Sequence, residues 1–122
     1  MPSTILVIDD EQDVWKTLSF RFEALGFEIV SAVDGKQGIE KAKTLKPSLI
    51  LLDFGLPNQT GLEVLKLLKK PSPDNIHQIP VIMLTGHDEF EQECLEAGAS
   101  GYLTKPFDLF QLKETLSKFL PR

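Results

Sequence analysis

The stretch Leu49-Ile50-Leu51-Leu52-Asp53-Phe54-Gly55-Leu56-Pro57-Asn58-Gln59-Thr60-Gly61 decides the fold. Four consecutive aliphatic residues without polar alternation predict a strand buried on both faces, the habit of a parallel sheet covered by helices. Asp53 stands at the C-terminal end of that strand. Pro57 and Gly61 keep a helix from starting at once, so a loop with free backbone groups is expected to follow the carboxylate. Alone there, a carboxylate would simply be solvated; with partners it makes a site.

Working outward, Thr4 to Ile8 is a second apolar strand, closed by Asp9-Asp10. Val14, Leu18, Phe22 and Leu25 then recur at helical spacing, and Gly26 stops that helix. Glu28 to Val33 is a β-prone run. Asp34-Gly35 caps a second amphipathic helix through Ile39, Ala42 and Leu45, halted before Pro47. Leu62, Leu65 and Leu68 mark a third helix, and Pro71-Ser72-Pro73-Asp74-Asn75 breaks it. Val81 to Thr85 is the fourth strand. A short acidic helix from about Phe90 to Ala97 follows, with Glu89, Glu91, Glu93 and Glu96 expected toward solvent. The last strand is Gly101 to Thr104. Asp108, Gln111 and the pair Phe107 and Leu112 then supply a capping box and a hydrophobic staple for the final helix.

Five strands alternating with five helices imply βα crossovers onto one parallel sheet with helices on both faces. All strand C-termini then share one edge, where Asp9-Asp10, Val33-Asp34, Asp53, Thr85 and Lys105 follow the strands. Ligands of open α/β sheets bind at that edge, where the winding reverses.

The 122 residues, 42% hydrophobic and 25% charged, fit one globular domain, residues 1–122. Neither a signal peptide nor a membrane span is read in them, so the expected location is cytoplasmic. Cys94 is the only cysteine, which excludes an internal disulfide and a cysteine-based zinc cluster; it is given no role. The net charge is -5, with lysines dispersed among acids, so no nucleic-acid partner is expected; a protein or a cation suits that charge better.

If the first and third strands are neighbours, Asp9, Asp10 and Asp53 crowd together. Lys105 answers only one of the three negative charges, and a hard divalent cation held by oxygen, Mg²⁺, is the natural complement. Mg²⁺ prefers to share its shell with a phosphoryl oxygen. Thr85 and Lys105 can take the remaining phosphoryl oxygens. Phosphoryl transfer needs chiefly positioning and charge neutralisation, and one carboxylate would be the nucleophile, forming an acyl phosphate.

Asp9-Asp10 after the first strand, Asp53 in Asp-x-x-Leu-Pro-x-x-x-Gly, Thr85-Gly86 after the fourth and Lys105-Pro106 after the fifth resemble the receiver domains of two-component response regulators, over essentially the whole chain. The resemblance implies a flavodoxin-like, doubly wound α/β fold with strand order 2-1-3-4-5. It also implies phosphorylation of Asp53 by a histidine kinase or phosphotransfer protein, and signalling to a downstream protein target. Carried over, Asp10, Asp53 and the main-chain carbonyl of Gly55 are Mg²⁺ ligands, and Asp9 acts through water. Thr85 and Lys105 hold the phosphoryl group, Tyr102 matches the aromatic switch position, and the Lys105–Pro106 peptide is cis. His77 and His87 lack metal-ligand spacing and are expected to be exposed; His87, two residues after Thr85, is placed to tune hydrolysis of the acyl phosphate.

Competing functions fit less well. An aspartate-based phosphatase or phosphotransferase wants Asp-x-Asp after the first strand, where the chain reads Asp9-Asp10-Glu11. A flavin carrier wants a Ser-, Thr- and Gly-rich loop there, and the acids would repel its phosphate. An unphosphorylated interaction module has no use for acids, Thr and Lys together. No output domain is read after the final helix, leaving a free-standing regulator or a receiver taken from a longer protein.

Overall fold

In the computed structural model the described residues are 3–56, 59–86, 88–105 and 107–119. The expectations placed on Pro57, on His87 and on the Lys105–Pro106 peptide lie outside them, as do the side chains of Val14 and Leu18. Strands β1 (Ser3–Ile8), β2 (Phe27–Ala32), β3 (Leu49–Asp53), β4 (Val81–Thr85) and β5 (Gly101–Thr104) form one parallel sheet in the order β2-β1-β3-β4-β5. Between and after them run α1 (Gln12–Ala24), α2 (Gly35–Leu45), α3 (Gly61–Lys69), α4 (Glu91–Glu96) and α5 (Leu109–Phe119), with 3₁₀ turns at Ile76–Gln78 and Asp88–Phe90. The winding reverses between β1 and β3, because β2 lies on one side of β1 and every later strand on the other.

Local chemistry sets the ends of these elements. Gly26, at φ +92, takes the left-handed turn after α1. The Asp34 carboxylate accepts from the Gln37 N–H at 2.8 Å and caps α2. In α5 the capping box closes as expected: Gln111 N–H donates to Asp108 at 2.8 Å, and Asp108 N–H to Gln111 at 2.9 Å. The helix α3 starts on Gly61 itself, capped by Thr60, whose hydroxyl accepts from Glu63 N–H while the Glu63 carboxylate accepts from Thr60 N–H. α4 is shorter than the sequence predicts, since its first turn is the 3₁₀ segment.

Alternation along the strands sorts the core into two layers. Leu6, Ile8, Ile50, Leu52, Val81 and Met83 pack with Ala42 of α2, Val64, Leu65 and Leu68 of α3, and Cys94 of α4. Ile5, Val7, Leu49, Leu51, Ile82 and Leu84 pack on the other side with Trp15 and Phe22 of α1 and Leu112 and Leu116 of α5. Two residues expected on helix core faces, Leu25 and Leu45, are exposed. Each stands at the last turn, where the chain is already leaving the sheet.

Candidate functional site

Register builds the site. Ile8 pairs with Leu52, so Asp9 and Asp53 come side by side at the end of β1 and β3. Asp53 pairs with Leu84, which puts Thr85 one residue farther out; Thr85 pairs with Thr104, and the Lys105 N–H returns to the Thr85 carbonyl at 2.6 Å. Strand alternation gives Asp9, Asp53 and Lys105 the parity of the layer under α1 and α5, and Thr85 and Tyr102 the parity of the layer under α3 and α4. The site therefore straddles both faces of the sheet.

Lys105 is its electrostatic hub. The ammonium lies 3.3 Å from Asp53 Oδ1, 3.2 Å from Asp9 Oδ2 and 3.1 Å from Glu11 Oε1. Burial opposes its charge, but Asp9, Asp53 and Glu11 outweigh that and hold its pKa above the ordinary lysine value. Asp53 goes the other way for a carboxylate paired with a lysine. Burial first, then the negative charge of Asp9, push its pKa up, and Lys105 with the Gly55 N–H only partly offset them. The two shifts are compatible because several carboxylates share one ammonium: the cation gains from all of them, while each anion still feels the others.

Asp9 is almost wholly buried, Asp53 nearly so, and Asp10 is exposed. One oxygen from each lies within 4.8 Å of the others. Above them opens a cleft of about 380 Å³ lined by Asp10, Glu11, Asp53, Phe54, Gly55, Thr85, Gly86 and Lys105. An all-oxygen donor set, anionic beyond what its one ammonium balances, suits a hard cation such as Mg²⁺, which binds through one or two carboxylates and keeps waters for the rest. Behind the cleft, the Gly61 N–H donates to the Phe54 carbonyl at 2.7 Å. A Cβ on Gly61 would stand 2.4 Å from the Asp53 carbonyl oxygen, so the loop can fold back behind Asp53 only over a glycine.

Of the residues singled out from sequence, Asp10, Asp53, Gly55, Thr85 and Lys105 line this cleft, and Asp9 lies buried within the same carboxylate cluster. Tyr102 does not line it. Its side chain is half-buried against the layer containing Met83 and Cys94. His77 is half-buried in the 3₁₀ turn that precedes β4, at the opposite edge of the sheet, rather than exposed. Sequence reasoning missed Glu11 as a partner of Lys105, Trp15 as a donor to Asp9, and the stack of Phe54 on Phe90 at 4.5 Å between centroids. Only Glu11 carried a signal, its adjacency to Asp9-Asp10.

Residues 5–117 match the family model of the response regulator receiver domain. The chain is 38% identical to the alkaline phosphatase synthesis transcriptional regulatory protein PhoP of Bacillus subtilis, across 100% of this chain and 50% of that protein. It is 32% identical to the sporulation initiation phosphotransferase F of the same organism, across 99% of this chain and 96% of that one. The chain thus spans about half the length of relatives such as PhoP and nearly all of the phosphotransferase. Among solved structures, the Vibrio cholerae chemotaxis protein CheY4 superposes with a TM-score of 0.87 at 29% identity, covering 98% of this chain and 100% of that one. The receiver domain of the sensor histidine kinase PA1611 of Pseudomonas aeruginosa, with a magnesium ion coordinated in its active site cleft, gives 0.84 at 26% identity, covering 98% of each chain. Sequence likeness that begins in the core of β1 and ends in the last turns of α5 takes in every strand end of the cleft, and the chain belongs to the family of response regulator receiver domains.

Proposed function

We propose that this domain accepts a phosphoryl group on Asp53 in the presence of Mg²⁺ and passes the event on as a change of shape. The observation that carries the reading is the convergence of Asp9, Asp10 and Asp53 within 4.8 Å, with Lys105 on Asp53. Bound Mg²⁺ would supply charge neutralisation for the incoming phosphoryl oxygens, held by Asp10, Asp53 and the Gly55 carbonyl, and by Asp9 through water. Asp53 supplies the nucleophile: one carboxylate oxygen bonds to phosphorus as the bond from phosphorus to the donor breaks, leaving an acyl phosphate. Lys105 moves from bridging carboxylates to holding a phosphoryl oxygen, and the Thr85 hydroxyl takes another. The same groups can hold the acyl phosphate for attack by water at phosphorus, which breaks the bond to the Asp53 oxygen and releases inorganic phosphate, so the domain assists its own phosphorylation and dephosphorylation without acting on a separate substrate.

The donor is a histidine kinase or phosphotransfer protein, met in the cytoplasm. Among the described residues no helix is long and apolar enough to cross a membrane. Output runs through the face of α4, β5 and α5. Thr85 and Tyr102 share one layer of the core, so movement of the hydroxyl toward the phosphoryl group makes room for the ring to bury further. A charge-assisted hydrogen bond contributes about 1.5–3 kcal/mol, which changes the ratio of two conformers by roughly ten- to a hundredfold. Glu89, Glu91, Glu93 and Glu96 are exposed beside that face and give it an acidic rim for a downstream protein.

The test is incubation with acetyl phosphate and Mg²⁺, read by intact mass. One phosphoryl group is expected on the wild type, and none on Asp53→Asn. Undiminished uptake by the Asn variant would refute the assignment.

A further inference from the structure

Trp15 is the only tryptophan in the chain, and it is buried in the core layer under α1 and α5, at the end of that layer next to the site. Its indole N–H donates to Asp9 Oδ2 at 2.9 Å, the same oxygen that meets the Lys105 ammonium at 3.2 Å. The other oxygen, Oδ1, accepts from the Glu11 N–H at 3.0 Å. On its far side the indole packs against Phe107, with centroids 6.2 Å apart and planes tilted by 39°. Lys105 and Phe107, two residues apart at the start of the connection from β5 to α5, are therefore both tied to the pair Asp9 and Trp15.

We infer that Trp15 is a positioning residue for the cation site: its N–H holds the Asp9 carboxylate in the orientation that Mg²⁺ uses. The inference rests on the reading of the cleft given above. Ammonium and divalent cation compete for the same carboxylates. A buried carboxylate needs donors, and the indole satisfies Asp9 without bringing a positive charge. Without that N–H, Lys105 is the remaining partner of Oδ2 among the described residues. The carboxylate swings toward the ammonium, the ion pair tightens, and both changes act against Mg²⁺. Groups that orient metal-ligating side chains from behind typically hold ten- to a hundredfold of metal affinity; because Asp9 is one of three carboxylates here, the lower end is expected.

The experiment replaces Trp15 with 3-benzothienylalanine, which keeps the bicyclic shape and puts sulfur where the N–H was; Trp15→Phe is the genetic counterpart. Mg²⁺ affinity is measured by calorimetry on the whole chain, and thermal stability is recorded alongside. The benzothienyl protein is expected to melt within a few degrees of wild type and to bind Mg²⁺ about tenfold more weakly. Its uptake of phosphoryl from acetyl phosphate should be slowed at low Mg²⁺ and restored at saturating Mg²⁺. In the wild type, the indole N–H resonance should move on addition of Mg²⁺. If the wild type binds Mg²⁺ and the benzothienyl protein binds it within twofold as tightly, Trp15 is merely core and the inference is overturned alone. If the wild type binds no Mg²⁺, the reading of the cleft falls, and this inference with it.

Discussion

The helices α3 and α4 each follow a strand whose last residue belongs to the cleft, Asp53 before α3 and Thr85 before α4, yet they are built to different standards. α3 has nine residues, a capping box, and Gly61, Val64, Leu65 and Leu68 buried. Its last turn is fastened as well: the Lys69 ammonium donates to the carbonyls of His77 at 3.2 Å and Ile79 at 2.6 Å. α4 has six residues, no side-chain hydrogen bond at its N-cap, and only Cys94 buried among its own residues. Two glutamates in the first turn of α4 favour the helix dipole by no more than a few tenths of a kcal/mol each at an exposed surface. So the element behind Asp53, the proposed nucleophile, is the better anchored of the two, and the one behind Thr85 has fewer buried and capped residues to hold it. On the proposed reading, one carboxylate is held still while an event is relayed through one hydroxyl, and that inequality suits it, because elements that move are drawn from the less stable parts of a fold.

The largest effect should come from the firm side. Leu65 is fully buried in α3, so Leu65→Ala removes apolar contacts and leaves a cavity, at an expected cost of about 2–5 kcal/mol. Leu95 is exposed on α4, and Leu95→Ala should change stability by less than about 0.5 kcal/mol. Urea unfolding of the two variants would make the comparison. Equal losses would mean that α4 is as deeply anchored as α3.

This inequality was only half legible in the sequence. The strands β1 and β3 announce themselves as unbroken aliphatic runs, and the acids and the lysine at the strand ends follow from counting residues to the next turn. The capping box of α3 was hidden because Pro57 and Gly61 read as breakers, whereas Gly61 is the first helical residue and Thr60 its cap. Leu25 and Leu45 continue a helical period in the sequence, but the period cannot tell where the helix parts from the sheet. Contacts such as Lys105 with Glu11, or Trp15 with Asp9, depend on which strand ends meet and which way each pleat faces. Once register is fixed they follow directly; before that, the adjacency of Glu11 to Asp9-Asp10 hints at the first, and nothing in the local sequence selects the second.

A smaller effect separates function from stability at Asp53. Its raised pKa means that the folded protein disfavours the ionised form, through burial and then Asp9. The folded state therefore binds more protons than the unfolded chain over the window that opens at about pH 4 and ends at the folded pKa. Stability falls as pH rises through that window, and the full cost remains at neutral pH. Asp53→Asn removes the charge while Lys105 keeps Asp9 and Glu11, so the variant should melt at a higher temperature than wild type at pH 7. The gap should narrow as pH is lowered toward 4. A gap that widens instead would mean that Lys105 contributes more to the fold through Asp53 than burial and Asp9 cost.

The smallest effect tests whether the two helices are independent. Thr60→Ala deletes the hydroxyl that accepts from Glu63 N–H at 3.2 Å and donates to the Glu63 carboxylate at 3.2 Å, leaving that carboxylate only the main-chain N–H at position 60. Losing such a cap costs about 1 kcal/mol. The loss falls at the N-terminus of α3, directly behind Asp53, so amide exchange should speed up in the first turn of α3. Cys94 reports on the other helix. Its thiol is buried, and burial followed by the neighbouring Glu93 raises its pKa, so labelling by a thiol reagent requires α4 to open. No hydrogen bond links the Thr60 cap to α4 among the described residues, and sites without shared partners contribute additively. In the native protein, then, Thr60→Ala should leave the Cys94 labelling rate within about twofold of wild type, provided that opening of α4 costs less than global unfolding. A rate that rises by the whole factor of roughly five corresponding to 1 kcal/mol would mean that α4 opens only when the entire domain does. In that case the contrast between the two helices would describe their packing and not their freedom to move, and Thr85 would have no separate element to drive.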